Sequence, residues 1–440
     1  SKKQKVIVVV SAFGKTTNAL IEGAHLAQNK NSGYKEIIQK LEKHHFNVIE
    51  ELIPTEQQPT IVAHIKELFN QLETIYKGCY LLEELSPKTL ATISSFGELL
   101  SASIIAEISN LKIDTIYKDS RDLIVASEMY LDAVVDFPAT NKNITDYFKD
   151  ATAHVTLMPG FVARTNLGQT TTLGRGGSDY SAAIYAAALD AKELQIWTDV
   201  SGMFTSNPSI VKQAFAIPHI SYHEAMELSH FGAKVIYPPT IQPVLQKEIP
   251  IVIKNTFQPE DIGTRITKDT HTNNQPVKGI SYIENITLIT LGGTGMVGMP
   301  GFSKRLFEIL SLHEINITLI TQASSELSIC IGVENKDAYR AQKLIDSTFE
   351  YEIHQQKVRP VILEQDLCII ALVGDNMKNH QGLSGKMFSS LGKNNVNIRA
   401  IAQGASEKNI SAVINKKDAK KALNTLHEQF FEEKIKQLNL

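Results

Sequence analysis

A chain of 440 residues, 43% hydrophobic and 21% charged, is long enough for two or three domains with sizeable cores. Its formal net charge of −3 supplies no field for polyanions, and no Lys/Arg-rich block stands out, which excludes nucleic acid as an expected partner. No apolar span of bilayer length and no signal peptide are read, and the scattered Cys79, Cys330 and Cys368 read as reduced thiols, so the expectation is a cytoplasmic enzyme with no membrane partner and no metal site.

In chain order, the β-branched run from Lys5 to Val10, a turn, and a helical pattern from Asn18 open a βαβ unit. Helical periodicity dominates from Tyr34 to Leu85 and from Glu98 to Asn110, with strand-like stretches near Leu111–Tyr117 and Val155–Pro159. This alternation predicts an α/β fold, an open mostly parallel sheet with helices on both faces. Gly14-Lys15-Thr16 is only part of a Walker-type loop and reads as the loop after the first strand. His44-His45 reads as a solvated helix face. In Ser95-Phe96-Gly97-Glu98 a carboxylate stands where a polar stretch turns into an apolar helical pattern, a position typical of a capping or solvated residue.

The run Thr172-Leu173-Gly174-Arg175-Gly176-Gly177-Ser178-Asp179-Tyr180-Ser181-Ala182 joins a glycine-rich turn to one cation and one anion at the start of an alanine-rich helix. Glycines let the backbone approach a ligand, and a helix N-terminus favours anions, so the run suits a small zwitterion beside a nucleotide. A glycine turn opening a helix is also a common structural device. The apolar run from Leu194 ends in Trp197-Thr198-Asp199, as a buried parallel strand does at its carboxyl end, the edge where ligands sit in open α/β sheets. Trp197 either stacks near a base or packs at that strand end.

The polar stretch from Gln258 to Pro276 marks a boundary, with the first domain ending near residue 270. Beyond it lies an internal repeat. Asn316-Ile317 and Leu319 to Glu326 return as Asn397-Ile398 and Ala400 to Glu407, and the offset that carries Gln322 to Gln403 also carries Gly301 to Gly382 and Leu310 to Leu391. Each copy reads as a ferredoxin-like βαββαβ unit, with Phe302, Leu306, Phe307 and Leu310 as core of the first.

Taken together, Val10-Ser11-Ala12 with Thr17, Ser95 to Glu98, Arg175 to Asp179, Thr198-Asp199, Gly232-Ala233-Lys234-Val235 and Asn255-Thr256-Phe257 resemble the aspartokinase family over nearly the whole chain. The repeats resemble the paired ACT regulatory domains of those enzymes. The resemblance implies a catalytic domain over 1–270 and ACT domains over 278–358 and 359–435. It implies transfer of phosphate from ATP, carried with Mg²⁺, to the side chain of L-aspartate, the entry to lysine, threonine and methionine synthesis. A carboxylate of pKa roughly 4 is already ionised near pH 7 and needs no general base, so the lack of an obvious catalytic His or Cys is expected.

By resemblance, Arg175 is the fork for the α-carboxylate, and Glu98 and Asp179 contact the ammonium side or hold cationic groups. Ser11 and Thr17 donate hydrogen bonds to the substrate. Gly176, Gly177, Thr198, Asp199 and Lys234 belong to the nucleotide. Gly293 to Gly301, Ile320 to Glu326 and Val373 to Met377 look most like the kinase half of bifunctional aspartokinase–homoserine dehydrogenases. That likeness implies an effector amino acid, threonine before lysine, at Gln322, Gln403, Asn316 and Asn397, although the glutamines would equally satisfy strand-end backbone groups. A homodimer or higher homo-oligomer through the ACT domains is expected.

Two departures stand out. The family's opening Lys-Phe-Gly-Gly strand is not found, so the sequence is expected to begin one strand and one helix late, and its end resembles the lead-in to a dehydrogenase strand. Thr205-Ser206-Asn207-Pro208, expected near the nucleotide, has Asn where relatives carry Asp. The alternatives are a catalytically silent amino-acid sensor and the kinase module of a bifunctional enzyme.

Overall fold

The computed structural model describes residues 5–230, 236–268, 275–298, 300–322, 327–378, 380–404, 406 and 408–438. The chain forms two compact units, Ser1–Ile196 with Ile236–Ile251, and Trp197–Val235 with Val252–Leu440.

In the first unit, Val6–Val10, Val155–Pro159 and Thr115–Tyr117 form a parallel sheet in that order. Side chains alternate across it. Val8, Val10 and Leu157 pack on Ala102 and Ala106 of the helix Pro87–Asn110, while Ile7, Val9 and Met158 pack on Ile184 and Tyr185 of the helix Gly177–Ala188. Helices thus cover both faces, and the carboxyl ends of all three strands open on one edge.

The helices Thr16–Gln28, Tyr34–Leu52, Gln58–Leu82 and Pro87–Asn110 share an apolar core that includes Leu20, Ile49, Phe69, Tyr76 and Leu100. Two expectations fail here. His45 is fully buried, with Nδ1 2.7 Å from the Leu41 carbonyl oxygen and its ring against Phe13 and Phe69, and burial pushes its pKa down to about 4. It is a neutral core residue, while His44 alone faces solvent. The second concerns the helix Pro87–Asn110, which is interrupted by Lys88, Glu98 and Glu107 and, although apolar enough on average to cross a membrane, has 78% of its most apolar window buried, because sheet and helices surround it. It begins at Pro87, where Ser86 Oγ accepts from the Thr89 N–H at 3.2 Å, so Glu98 lies mid-helix and does not cap it.

The second unit contains a sheet ordered Leu194–Thr198, Ile251–Asn255, Thr264–Thr267, His219–Ser221, the unit boundary falling within the first two strands. It also contains a six-stranded sheet ordered Leu319–Gln322, Ser328–Glu334, Gly279–Gly292, Arg359–Val373, Asn409–Asn415, Ile398–Ala402. The repeat is visible in backbone geometry: Gly301 and Gly382 take φ of 102° and 86°, and Asn285 and Asp366 take 63° and 58°. The helix Phe302–Leu312 buries Phe302, Leu306 and Leu310 as expected, with Phe307 partly buried.

The copies are interleaved rather than placed end to end. In the two long central strands, Gly279 pairs with Val373 and Ile283 with Ile369, while Ile289 pairs with Leu363 and Gly292 with Arg359. Residues 279–283, which precede the first copy, therefore cover the edge of the second, and 359–364 complete the first. Exchange protects two strand edges that separate copies would expose.

The expected boundary near 270 does not separate the compact units, because Val211, with Ile210, Ala214 and Phe215 beside it, packs into the core of the second copy. In the same segment Thr205 Oγ1 lies 2.8 Å from buried His427 Nε2 on the last helix, so this loop is anchored to the second copy. Asn207 Oδ1 accepts from the Ser209 N–H at 3.0 Å and so keeps the turn closed.

Gly263 has φ +73°, and a Cβ there would lie 2.0 Å from the Ile253 carbonyl oxygen, whereas Gly168 has φ +75° with open space around it. Gly263→Ala should lower stability by about 2–4 kcal/mol and Gly168→Ala by only about 1 kcal/mol, measured by urea unfolding.

Candidate active site

At the carboxyl edge of the parallel sheet a cavity of about 260 Å³ is bounded on one side by Ser11, Thr17 and Glu98 and on the other by Phe161, Gly174 and the segment from Gly176 to Asp179. The first side depends on Gly97. A Cβ at that position would stand 2.8 Å from Ala12 Cβ and 3.2 Å from Thr17 Oγ1, so only glycine lets the 11–17 loop lie directly on the helix. Polar groups flanking Gly97 then fix the loop: Glu98 Oε1 accepts from the Ala12 N–H at 3.3 Å, and Ser101 Oγ donates to the Ser11 carbonyl at 2.8 Å.

Glu98 is only 4% exposed, and its second oxygen, Oε2, has no hydrogen-bond partner among the described residues. Burial pushes its pKa up to about 7, with the Ala12 N–H opposing the shift only in part. An unpaired carboxylate in such a position favours a cation.

The other side is built from the hairpin of Val162–Arg164 and Thr170–Thr172, which delivers the chain to the glycine turn. Gly174 and Gly176 both have φ +71°, and a Cβ on Gly176 would meet Tyr237 Cβ at 2.7 Å. One on Gly177 would meet Phe161 Cδ2 at 2.7 Å. The helix Gly177–Ala188 then starts without a side-chain cap and with Asp179 in its first turn; burial pushes Asp179 up to about 6. The lining therefore offers two carboxylates, three small hydroxyl residues and an uncapped helix end, a set suited to an amino acid with an anionic group beside it.

Of the residues expected from sequence, Ser11, Thr17, Glu98, Gly176, Gly177 and Asp179 meet at this cavity. Arg175 is exposed between two glycines of the lining and has no ion pair among the described residues. Thr198 ends its strand in the second unit, where its hydroxyl donates to exposed Asp199 Oδ1 at 3.2 Å. Lys234 lies outside the described residues. Gln322 ends the strand Leu319–Gln322, and Gln403 follows Ile398–Ala402; both are exposed, as are Asn316 and Asn397 before the same two strands. No cluster of three or more His, Cys, Asp or Glu suited to a metal occurs among the described residues.

Gly174, read from sequence with Gly176 and Gly177 as a ligand-approaching glycine, lines the cavity too, whereas Phe161 and Ser178 line it without having been assigned a role. Phe161 was detectable, since it follows a strand read to Pro159 and ligands collect beyond carboxyl ends. Its φ of +67° is unusual for an aromatic residue and costs about 1–2 kcal/mol.

Comparison with known proteins identifies the family. The profile of the amino acid kinase family matches residues 1–255, and that of the ACT domain matches 289–349 and 370–430. The bifunctional aspartokinase/homoserine dehydrogenase of Haemophilus influenzae is 38% identical, over 97% of this chain and 52% of its own length. Aspartokinase 1, chloroplastic, of Arabidopsis thaliana is 31% identical, over 98% of this chain and 75% of its own. The crystal structure of E. coli aspartokinase III with aspartate and ADP matches with a TM-score of 0.81 at 29% identity, covering 97% of this chain and 93% of that one; its T-state complex with lysine and aspartate gives 0.76, also at 29%, covering 97% and 92%. The chain belongs to the amino acid kinase family and, within it, to the aspartokinases with paired ACT domains. It spans about half the length of the bifunctional relatives it matches.

Glu98 has a folded pKa near 7 against an ordinary 4.5. The folded state therefore binds the extra proton between those values, and the stabilisation is full below about pH 4.5 and lost as pH rises through about 7. Glu98→Gln should accordingly be more stable than the wild type at about pH 8, by up to about 3 kcal/mol, and equal to it near pH 4.5, read from unfolding at both values.

Proposed function

We propose that the chain phosphorylates L-aspartate from Mg²⁺-bound ATP, giving ADP and 4-phospho-L-aspartate, the first step toward lysine, threonine and methionine. The observation that carries this reading is the buried Oε2 of Glu98, without a hydrogen-bond partner among the described residues, in a cavity sized for a small amino acid. A bound α-ammonium would supply the missing charge, and ionise Glu98 fully as it did so. Arg175 would swing its fork onto the α-carboxylate, Ser11 and Thr17 would hold the substrate's oxygens, and Asp179 would complete the ammonium side.

The substrate's β-carboxylate, already ionised, attacks the γ-phosphorus as the bond to the β-phosphate oxygen breaks and ADP leaves with the electron pair. No group on the protein has to take a proton. The Gly176-Gly177 backbone, Thr198, Asp199 and Lys234 would hold and screen the nucleotide, a role drawn from the family pattern. The expected domain limits, 1–270, 278–358 and 359–435, are kept for function, with residues 279–283 lent to the second ACT sheet. An effector amino acid, threonine or lysine, would bind near Gln322, Gln403, Asn316 and Asn397 in a homodimer joined through these domains. Buried free thiols at Cys79 and Cys368 suit the cytoplasm.

Hydroxylamine trapping of the acyl phosphate, with and without threonine or lysine, tests the reading. Turnover with L-aspartate is expected, and Arg175→Lys should raise KM for aspartate about tenfold or more, because an ammonium cannot reproduce bidentate pairing. Absence of turnover with tight binding of an effector would replace the enzyme by a sensor.

A further inference from the structure

Phe161 keeps its φ of +67° only because its surroundings over-determine it. Its N–H donates to Ser181 Oγ at 3.0 Å, and its carbonyl accepts from the Leu173 N–H at 2.9 Å. Two residues earlier the Pro159 carbonyl accepts from Ser120 Oγ at 2.5 Å, and Ser120 in turn accepts from the Tyr185 hydroxyl at 2.9 Å. The Ser181 hydroxyl donates to the Gly177 carbonyl at 2.9 Å, so it both accepts and donates. Ser120, Ser181 and Tyr185 are 0%, 0% and 1% exposed, and none of them lines the cavity.

Gly177, Ser181 and Tyr185 recur every fourth residue and share one face of the helix Gly177–Ala188. That face presents two hydroxyls to the two ends of the turn 159–161, one directly and one through Ser120. The same helix carries Ser178 and Asp179 into the cavity from its first turn. One rigid element therefore fixes the carboxylate of Asp179 and, through the hydroxyls, the place of the Phe161 ring that shares the same cavity wall.

The geometry points to Ser181 and Tyr185 as positioning residues that hold the Phe161 ring against the substrate amino acid. The inference rests on the aspartate kinase reading. The hydroxyls act on a wall of the amino-acid cavity, and their one bond to the segment assigned to the nucleotide, from Ser181 Oγ to the Gly177 carbonyl, ends on a carbonyl that the helix's own backbone ladder also engages, so they should govern the grip on aspartate and leave the chemical step alone. Ordinary core hydroxyls that only satisfy one another would change thermal stability and nothing else.

The test is a double-mutant cycle in the full chain, reading KM for L-aspartate, kcat, KM for ATP and Tm. Ser181→Ala should raise KM for aspartate about 5- to 10-fold, with kcat and KM for ATP changed less than about twofold. Tyr185→Phe should act in the same direction by about 2- to 3-fold, since Ser120 keeps its bond to Pro159. Phe161→Gly relieves the strain and removes the ring, so adding Ser181→Ala to it should change KM for aspartate by less than about twofold. Multiplying effects in the double variant, or a fall in Tm with KM unchanged in Ser181→Ala, would overturn the inference while leaving the kinase reading intact. A wild-type chain inert toward aspartate would overturn that reading, and this inference with it.

Discussion

A carboxylate buried with only one of its two oxygens satisfied among the described residues is the constraint around which the candidate site is arranged. Glu98 uses Oε1 to hold the Ala12 N–H, and that bond keeps the 11–17 loop on the helix. Oε2 has no hydrogen-bond partner among the described residues, and burial pushes the pKa of the carboxyl up to about 7. Hydrophobic residues all along Pro87–Asn110 would be more stable there, so the position is a local conflict with folding, of the kind that marks functional sites. Gly97 makes the conflict possible by allowing loop and helix to touch, and the glycine turn at 174–177 closes the opposite wall at similarly short range.

The regulatory half solves a different problem. Two ferredoxin-like copies would each leave the first strand with an open edge, and the chain removes both by running two long strands, Gly279–Gly292 and Arg359–Val373, through both copies. Asn285 and Asp366 take left-handed conformations where each long strand passes from one copy to the other. Sharing these strands, neither copy is complete without chain that flanks the first one. The second copy is also tied to the segment around Thr205 and Val211, which follows the Thr198-Asp199 strand end. This gives a change in the copy a covalent and packed route to the segment assigned to the nucleotide, provided the copy has two arrangements to choose between.

Much of this was legible in the sequence, for identifiable reasons. The parallel sheet announced itself in the β-branched run at Val6–Val10 and the strand-like stretch at Val155–Pro159, and the repeat in matched glycines and helix faces. Four residues expected at the substrate, Ser11, Thr17, Glu98 and Asp179, and two expected at the nucleotide, Gly176 and Gly177, line one cavity, since the glycine turn and the Ser-Phe-Gly-Glu segment encode close approach as well as charge. What escaped was set by tertiary environment. Whether Glu98 caps a helix or lies inside one depends on where the helix starts, and Ser86-Pro87 was not read as that start. His45 and His44 are adjacent in sequence and opposite in burial, which only the packing of the Gln58–Leu82 helix decides. Strand exchange was hidden because the copies match each other in sequence whichever of them each half of a long strand serves.

The most direct test of the Glu98 account is the proton balance of aspartate binding, measured by titration calorimetry near pH 7 in buffers of different ionisation enthalpy. A group with pKa about 7 in the free protein, driven to full ionisation by the bound ammonium, releases about half a proton there. The wild type should show that release and Glu98→Gln should lose most of it. Binding with no proton release, or an equal release in Glu98→Gln, would show that the buried carboxylate is not what receives the substrate's ammonium.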